Sequence, residues 1–177
     1  MTRKISLGKA PKNAATADKL FWTIPSNSTV TAKILVDADH IIDGYFCQHN
    51  GKLWAYTGDE DPCHNLQDVE PRFSILLPCL IKTPTGKEFK IIRGPQTIAK
   101  QIESLATTNN LRGLLVTITR KDERFAKYTV TPTGQRAKVE EDQDELVADI
   151  LSKIKQGDSQ EIAEWLGIDK NITEETL

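Results

Sequence analysis

The stretch 111-LRGLLVTITRKDERFAKYTVTP-132 decides how the chain reads. Residues 114–120 are rich in apolar and β-branched side chains, and Lys121, Asp122 and Glu123 make a polar connection. Residues 125–131 then set Ala126, Tyr128 and Val130 against Phe125, Lys127, Thr129 and Thr131. Alternation of period two after a polar connection predicts a β-hairpin with one apolar face. Arg120, Lys121, Arg124 and Lys127 crowd its turn end, with the rings of Phe125 and Tyr128 between them. Cations track phosphates and ring faces stack on bases of any identity, so this interleaving suits a single-stranded nucleic acid. Surface hairpins also carry charge simply to stay soluble and unpaired, so the neighbouring sequence has to be weighed with it.

Upstream, residues 95–107 place Ile98, Ile102 and Leu105 on one helical stripe with Ala99 and Ala106 beside it, and Pro95 suits the first turn. The helix is expected to cover the end of a barrel. Before it come an apolar run at 73–82, a turn at 83–86 and a strand at 87–92. The run reads as a central strand, although Pro78 within it calls for an edge or a bulge. Residues 58–71 are an acidic, turn-rich connection. Earlier still, 42–48 and 52–57 form a second hairpin around Asn50-Gly51, a strong turn signal. Val30, Ala32, Ile34 and Val36 alternate with Thr31, Lys33 and Leu35 in a first strand. Short strands around a single helix, without recurring strand–helix alternation, predict a mainly β fold with helices. The smallest fit is an oligonucleotide-binding (OB) barrel of five or six strands with one covering helix and an acidic helical segment after it; a mixed α+β sheet with one covering helix is the alternative.

The net charge of −2 hides a division. Residues 1–138 carry 20 Lys/Arg against 13 Asp/Glu, a balance of +7, and residues 139–177 carry 3 against 12, a balance of −9. Such asymmetry points to nucleic-acid work or an interacting tail. The expected organisation is a flexible basic arm over 1–20, an OB-like domain over 21–138 and an acidic helical tail over 139–177. In the tail Val147, Ile150, Leu151 and Ile154 make an apolar stripe, and Asp158 with Glu161 opens a helix that Gly167 ends. That helix offers Trp165 and Leu166 to a protein partner. With no long apolar run and no basic-then-apolar leader, a membrane role is not expected and a cytoplasmic, intracellular place is.

Catalytic signatures do not appear: there is no phosphate-cradling glycine loop, HExxH or GxSxG, so the chain is not expected to be an enzyme. Three cysteines make no disulfide framework. Cys47, His49, Cys63, His64 and Cys79 are five possible soft ligands, and a hairpin and loop could bring the first two toward the next two, but the spacing is not that of a zinc knuckle, no CxxC occurs, His64 beside Cys63 can hardly share a site with it, and Cys79 sits in an apolar strand as a buried thiol would. No cofactor is expected. Among the rings, Trp22 reads as a packed anchor. Whether Tyr45 shares a face with Trp54 and Tyr56 depends on a register that the sequence leaves open: sharing makes a stacking surface beside Lys52, and otherwise Trp54 belongs to the core.

Four features together resemble the single-stranded DNA-binding proteins of tailed bacteriophages and related mobile elements. They are Phe21-Trp22-x-Ile-Pro leading to TVTAKILVD, a middle excursion containing Cys and His, a strand at 85–92 followed by a helix, and ITRKDERFAKYTVTP at 118–132. The resemblance covers roughly residues 20–133, and Arg120, Lys127 and Tyr128 match the family's closing hairpin. Here the turn lacks the family's glycine and the middle segment lacks its zinc-ligand spacing, so no metal is carried over. The resemblance implies an OB barrel that binds single-stranded DNA without sequence preference in replication or recombination, with an acidic C-terminal segment recruiting other proteins, in a phage-infected or mobile-element-bearing cell. The nucleic-acid-binding residues expected are Lys33, Tyr45, Lys52, Trp54, Tyr56, Lys90, Arg93, Arg120, Lys121, Arg124, Phe125, Lys127 and Tyr128. The competing expectation is a protein-interaction adaptor built from the same barrel and an acidic docking tail, which has no need of cations clustered with rings.

Overall fold

A computed structural model describes residues 21–168; the expected basic arm and the last residues of the acidic tail lie outside the described residues. In chain order the strands are β1 (Phe21–Trp22), β2 (Ser28–Ile34), β3 (Ile42–His49), β4 (Lys52–Ala55), β5 (Arg72–Thr83), β6 (Gly86–Gly94), β7 (Leu114–Asp122) and β8 (Ala126–Arg136). Helix α1 (Gln96–Ala106) joins β6 to β7, and α2 (Glu141–Leu151) and α3 (Ser159–Leu166) follow β8. The protein is mainly β, with one mixed sheet in the order β1-β6-β5-β2-β7-β8 and the β3–β4 hairpin branching from β5. β2 lies in the middle because both neighbours are antiparallel hairpins, β5–β6 on one side and β7–β8 on the other. The sheet does not close into a ring: β6 and β8 do not pair. Helix α1 packs against both of them, so its apolar stripe fills the place where closure would occur.

The main core lies between α1 and the inward face of β2, β5, β6, β7 and β8, where Ile34, Leu77, Ile92, Val116 and Ile118 meet Ile98 and Ile102. Each such isoleucine contributes about 1.5–3 kcal/mol by leaving water. Trp22 packs on this core as its large ring predicts. The β8 edge is blocked locally: Gln101 of α1 accepts from the Val130 N–H (2.8 Å) and donates to the Tyr128 carbonyl (2.9 Å), acting as a fragment of a missing strand.

Pro78 resolves differently from its expectation. β5 is central and pairs with β6 along its length, while its other flank pairs with β3 up to Leu76 and with β2 from Cys79. The Pro78 carbonyl accepts from Leu35 N–H on that second flank (3.0 Å), so the missing N–H also faces it, at the place where one partner strand gives way to the next. The proline forgoes one bond, the one its N–H would have returned to the Leu35 carbonyl, and it does so just past the end of β2. The Asn50-Gly51 turn has positive φ at both residues (49° and 74°), as a two-residue hairpin turn of the primed type demands.

Residues 139–168 are not a separate layer. Val139, Val147, Ile150 and Ile154 complete a second core with Leu35, Phe46, Leu53, Leu76, Phe89 and Ile91, so α2 covers the outward side of β5 and β6. Lys155 then bridges to β4 in parallel, donating to Leu53 O (3.1 Å) and accepting from Ala55 N (3.1 Å). Helix α3 starts at Asp158, whose carboxylate accepts from Glu161 N–H (2.8 Å), and ends at Gly167 in the left-handed region (φ 74°), both as the sequence predicts.

Candidate functional site

The β7–β8 hairpin forms at the expected place, with Arg120 opposite Tyr128, Lys121 opposite Lys127 and Asp122 opposite Ala126. This register sorts the expected binding residues into two sets. Arg120 and Tyr128 point inward: the Tyr128 ring belongs to the main core, with the Arg120 guanidinium 5.6 Å from its centre. Arg120 also forms two hydrogen bonds with the Asp122 carboxylate (2.8 and 3.0 Å) and donates to the Ile24 carbonyl (2.8 Å). The Arg120 hydrogen bond, with help from Ser26, holds the Asp122 carboxyl below the usual carboxylate range. Arg120 and Tyr128 therefore brace the hairpin rather than present a surface.

Lys121, Arg124, Phe125 and Lys127 are exposed together at the tip, the Phe125 ring to 79%. None of the three cations forms an ion pair among the described residues. Lys121 and Lys127 face each other directly, an arrangement that costs about 0.2–1 kcal/mol unless an anion lies between them. The sequence pointed to all four side chains.

The remaining expected residues are dispersed. The β3–β4 register puts Cys47 opposite Trp54, and Tyr45 accepts at its carbonyl from Tyr56 N–H (2.9 Å), so Tyr45, Trp54 and Tyr56 do share a face. That face is covered. Trp54 is fully buried against Cys47, Cys63 and Ile162 of α3, and its indole N–H donates to Asp61 (3.1 Å), which removes it as a stacking platform. Tyr56 is half-buried, hydrogen-bonded through its hydroxyl to His64 Nε2 (3.0 Å). Lys52 donates to the Trp165 carbonyl (2.7 Å) and sits 5.0 Å from its ring centre, so Lys52, Trp165 and Leu166 are tied into the contact between β4 and α3. Tyr45 alone of the three rings is well exposed, edge-on to Phe73 with centres 5.8 Å apart.

Lys33 is buried and donates to the Lys138 carbonyl (2.8 Å); burial first, and then the charge of Lys87, pull its pKa down. Lys90 lies 3.8 Å from Glu88. Arg93 is held by Ser74 (3.0 Å) and Gln48 (2.6 Å) at the wall of a cleft of about 710 Å³, where Arg72, His49, Asp68 and Glu70 also stand. That cleft carries both signs of charge and is lined by neither the hairpin tip nor the exposed rings.

Two of the possible soft ligands come together with a carboxylate. Cys47 and Cys63 meet Asp61, all three buried and with their ligand atoms within 4.8 Å of one another, and His49 is not in this group. Asp61 is already committed: it accepts from Trp54 Nε1, Thr57 N–H (2.8 Å), Thr57 Oγ1 (3.0 Å) and Cys63 N–H (2.8 Å). Burial alone would push its carboxyl up, but these hydrogen bonds outweigh it and hold the group below the usual carboxylate value. Burial raises both thiols, Cys47 to about 11. The hydrogen bonds of Asp61 tie the loop after β4 to Trp54 of that strand. Burial raises Cys79 likewise, within the main core.

No family model, curated protein or solved structure matches the chain. An array of threonines lines the solvent face of the same sheet. Thr29, Thr119 and Thr129 stand side by side across β2, β7 and β8, and Thr31, Thr117 and Thr131 form a second rank. The signal was present as three T-x-T triplets, Thr29-Val30-Thr31, Thr117-Ile118-Thr119 and Thr129-Val130-Thr131, whose middle residues point into the core. Lys121 and Lys127 extend the same face by one more rank, since side chains two apart on a strand share a face.

Proposed function

We propose that this chain is a sequence-tolerant binder of single-stranded DNA acting in replication or recombination, as the resemblance to phage and mobile-element proteins implies. The observation that carries the reading is the hairpin tip, where Lys121, Arg124 and Lys127 surround the exposed Phe125 ring without a pairing carboxylate among the described residues. An exposed ring beside unpaired cations offers stacking and phosphate neutralisation together, the two contacts that bind single strands of any sequence.

Support for an OB-like fold comes from the strand order. β2, β5, β6, β7 and β8 taken as first to fifth lie in the order third-second-first-fourth-fifth, with α1 between third and fourth. That is the order of a partly open Greek-key barrel whose loops after the first and fourth strands bind oligonucleotides. The loop after the fourth strand is the Glu123-Arg124-Phe125 tip, and the connection after the first carries the β3–β4 hairpin with Tyr45. Partner proteins would meet the acidic outward side of α2 and α3, including Glu145, Asp149 and Glu164, rather than Trp165, which is engaged by Lys52. No helix among the described residues is long and apolar enough to cross a membrane.

Fluorescence anisotropy with labelled oligodeoxythymidylate, an unstructured mixed-sequence strand and a duplex tests the reading. Similar affinity for the two single strands, with weaker duplex binding, is the expected result. Absence of binding to both single strands at low salt would remove it.

A further inference from the structure

We infer that the threonine array is a floor that binds the sugar–phosphate backbone of the single strand; the inference rests on the single-strand reading and assigns part of the interface to residues outside the hairpin tip. The registers place two ranks of three hydroxyls on one face, Thr29/Thr119/Thr129 and Thr31/Thr117/Thr131. Strand spacing sets neighbours within a rank about 4.8 Å apart, and the ranks about 6.7 Å apart along each strand, on the order of one extended nucleotide.

Cations bound this floor at two corners. Lys121 and Lys127 face each other one rank beyond Thr119 and Thr129. On the far side Lys82 faces Lys87 at the end of β5–β6, and Lys82 comes level with Thr31 because Ile81 pairs with Ala32. Both lysines of each pair are exposed, and no carboxylate stands among the residues that form the ranks and their lysine corners.

The hydroxyls have capacity left for a ligand. Thr29 and Thr119 share one hydrogen bond (3.0 Å), which uses one of their two O–H groups. Thr117 donates to the Thr131 carbonyl (3.4 Å). The hydroxyls of Thr31, Thr129 and Thr131 have no partner among the described residues. A threonine hydroxyl donates to a phosphate oxygen or sugar oxygen without reading base identity, which matches what a sequence-tolerant site requires. Threonine is also favoured on any half-exposed strand, so β-propensity alone would explain its presence. Valine has the same shape and comparable strand preference, and this separates the two accounts.

The test compares wild-type protein with a Thr129→Val/Thr131→Val double variant and a Thr129→Ser/Thr131→Ser double variant. Each is titrated with oligodeoxythymidylate and with an abasic phosphodiester strand of equal length, and melted thermally. The valine variant is expected to fold normally and to bind both strands about tenfold more weakly, from two lost hydrogen bonds. The slope of affinity against salt should not change, because no charge is removed. The serine variant should bind as the wild type does. Unchanged affinity of the valine variant for both strands, with wild-type binding intact, overturns the floor and leaves the hairpin tip standing. Failure of the wild type to bind any single strand overturns the single-strand reading itself.

Discussion

Two hairpins of this molecule present nearly the same side chains and have opposite fates. β3–β4 brings Tyr45, Trp54 and Tyr56 to one face beside Lys52, and β7–β8 brings Phe125 to its tip beside Lys121 and Lys127. At the first, α3 and the loop after β4 close over the face: Trp54 is fully buried, its N–H is satisfied by Asp61, and Lys52 is spent on the Trp165 carbonyl. At the second nothing described covers the tip, so its cations remain unpaired and its ring remains in water. A ring beside a cation is a binding surface only where no later part of the chain buries it. One hairpin is spent on stability, and the tip of the other is left open to solvent.

The largest effect is expected in the buried hairpin. Trp54→Ala should cost about 3–5 kcal/mol of stability through the cavity it opens and the loss of the indole contact to Asp61. Denaturant unfolding measures it, and the affinity of the folded fraction for single strands should be unaltered. A variant of normal stability but reduced affinity would return Trp54 to the interface.

Asp61 gives the comparison a pH axis. Its carboxyl is held below the ordinary value of about 3.9, so it contributes stability that is complete above that value and is lost as pH falls through the folded-state pKa. Asp61→Asn should be less stable at neutral pH by about 1.5–3 kcal/mol, the worth of hydrogen bonds to a charged acceptor, and the difference from wild type should narrow in acid. A constant difference from pH 7 down to pH 2 would contradict the assignment.

At the exposed tip the same kind of change should act on binding alone. Phe125→Ala is expected to leave stability within about 0.5 kcal/mol of wild type. It should weaken single-strand binding by about 1–3 kcal/mol, the usual worth of one stacked base. Loss of stability without loss of binding would make the two hairpins alike.

What could be read from the sequence divides along the same line. The β7–β8 hairpin, the α1 stripe, the Asn50-Gly51 turn and the ends of α3 are local features, set by period, turn chemistry and caps, and they stand where the sequence puts them. The covering of Trp54 and Lys52 was not legible, because it depends on Ile162 and Trp165 arriving from more than 100 residues away. Pro78 misled for a related reason: its tolerance comes from the switch of β5 from β3 to β2, which only the assembled sheet defines. The inward turn of Arg120 and Tyr128 followed from the hairpin's own alternation, but its use as a brace required Asp122 and Ile24 in place. The threonine ranks were written in the sequence as three triplets, and only the register made them neighbours.

The central claim is that the β7–β8 tip meets phosphates, and the salt dependence of single-strand affinity tests it most directly. Wild type and a Lys121→Gln/Lys127→Gln double variant should be titrated with oligodeoxythymidylate across a range of salt. The account predicts that log affinity falls linearly with log salt, and that the double variant loses about 1.4 from the slope, or about 0.7 for each phosphate contact removed. The variant should be as stable as wild type or slightly more so, since two facing like charges are gone. An unchanged slope in the folded variant, or a flat response in the wild type, would contradict it.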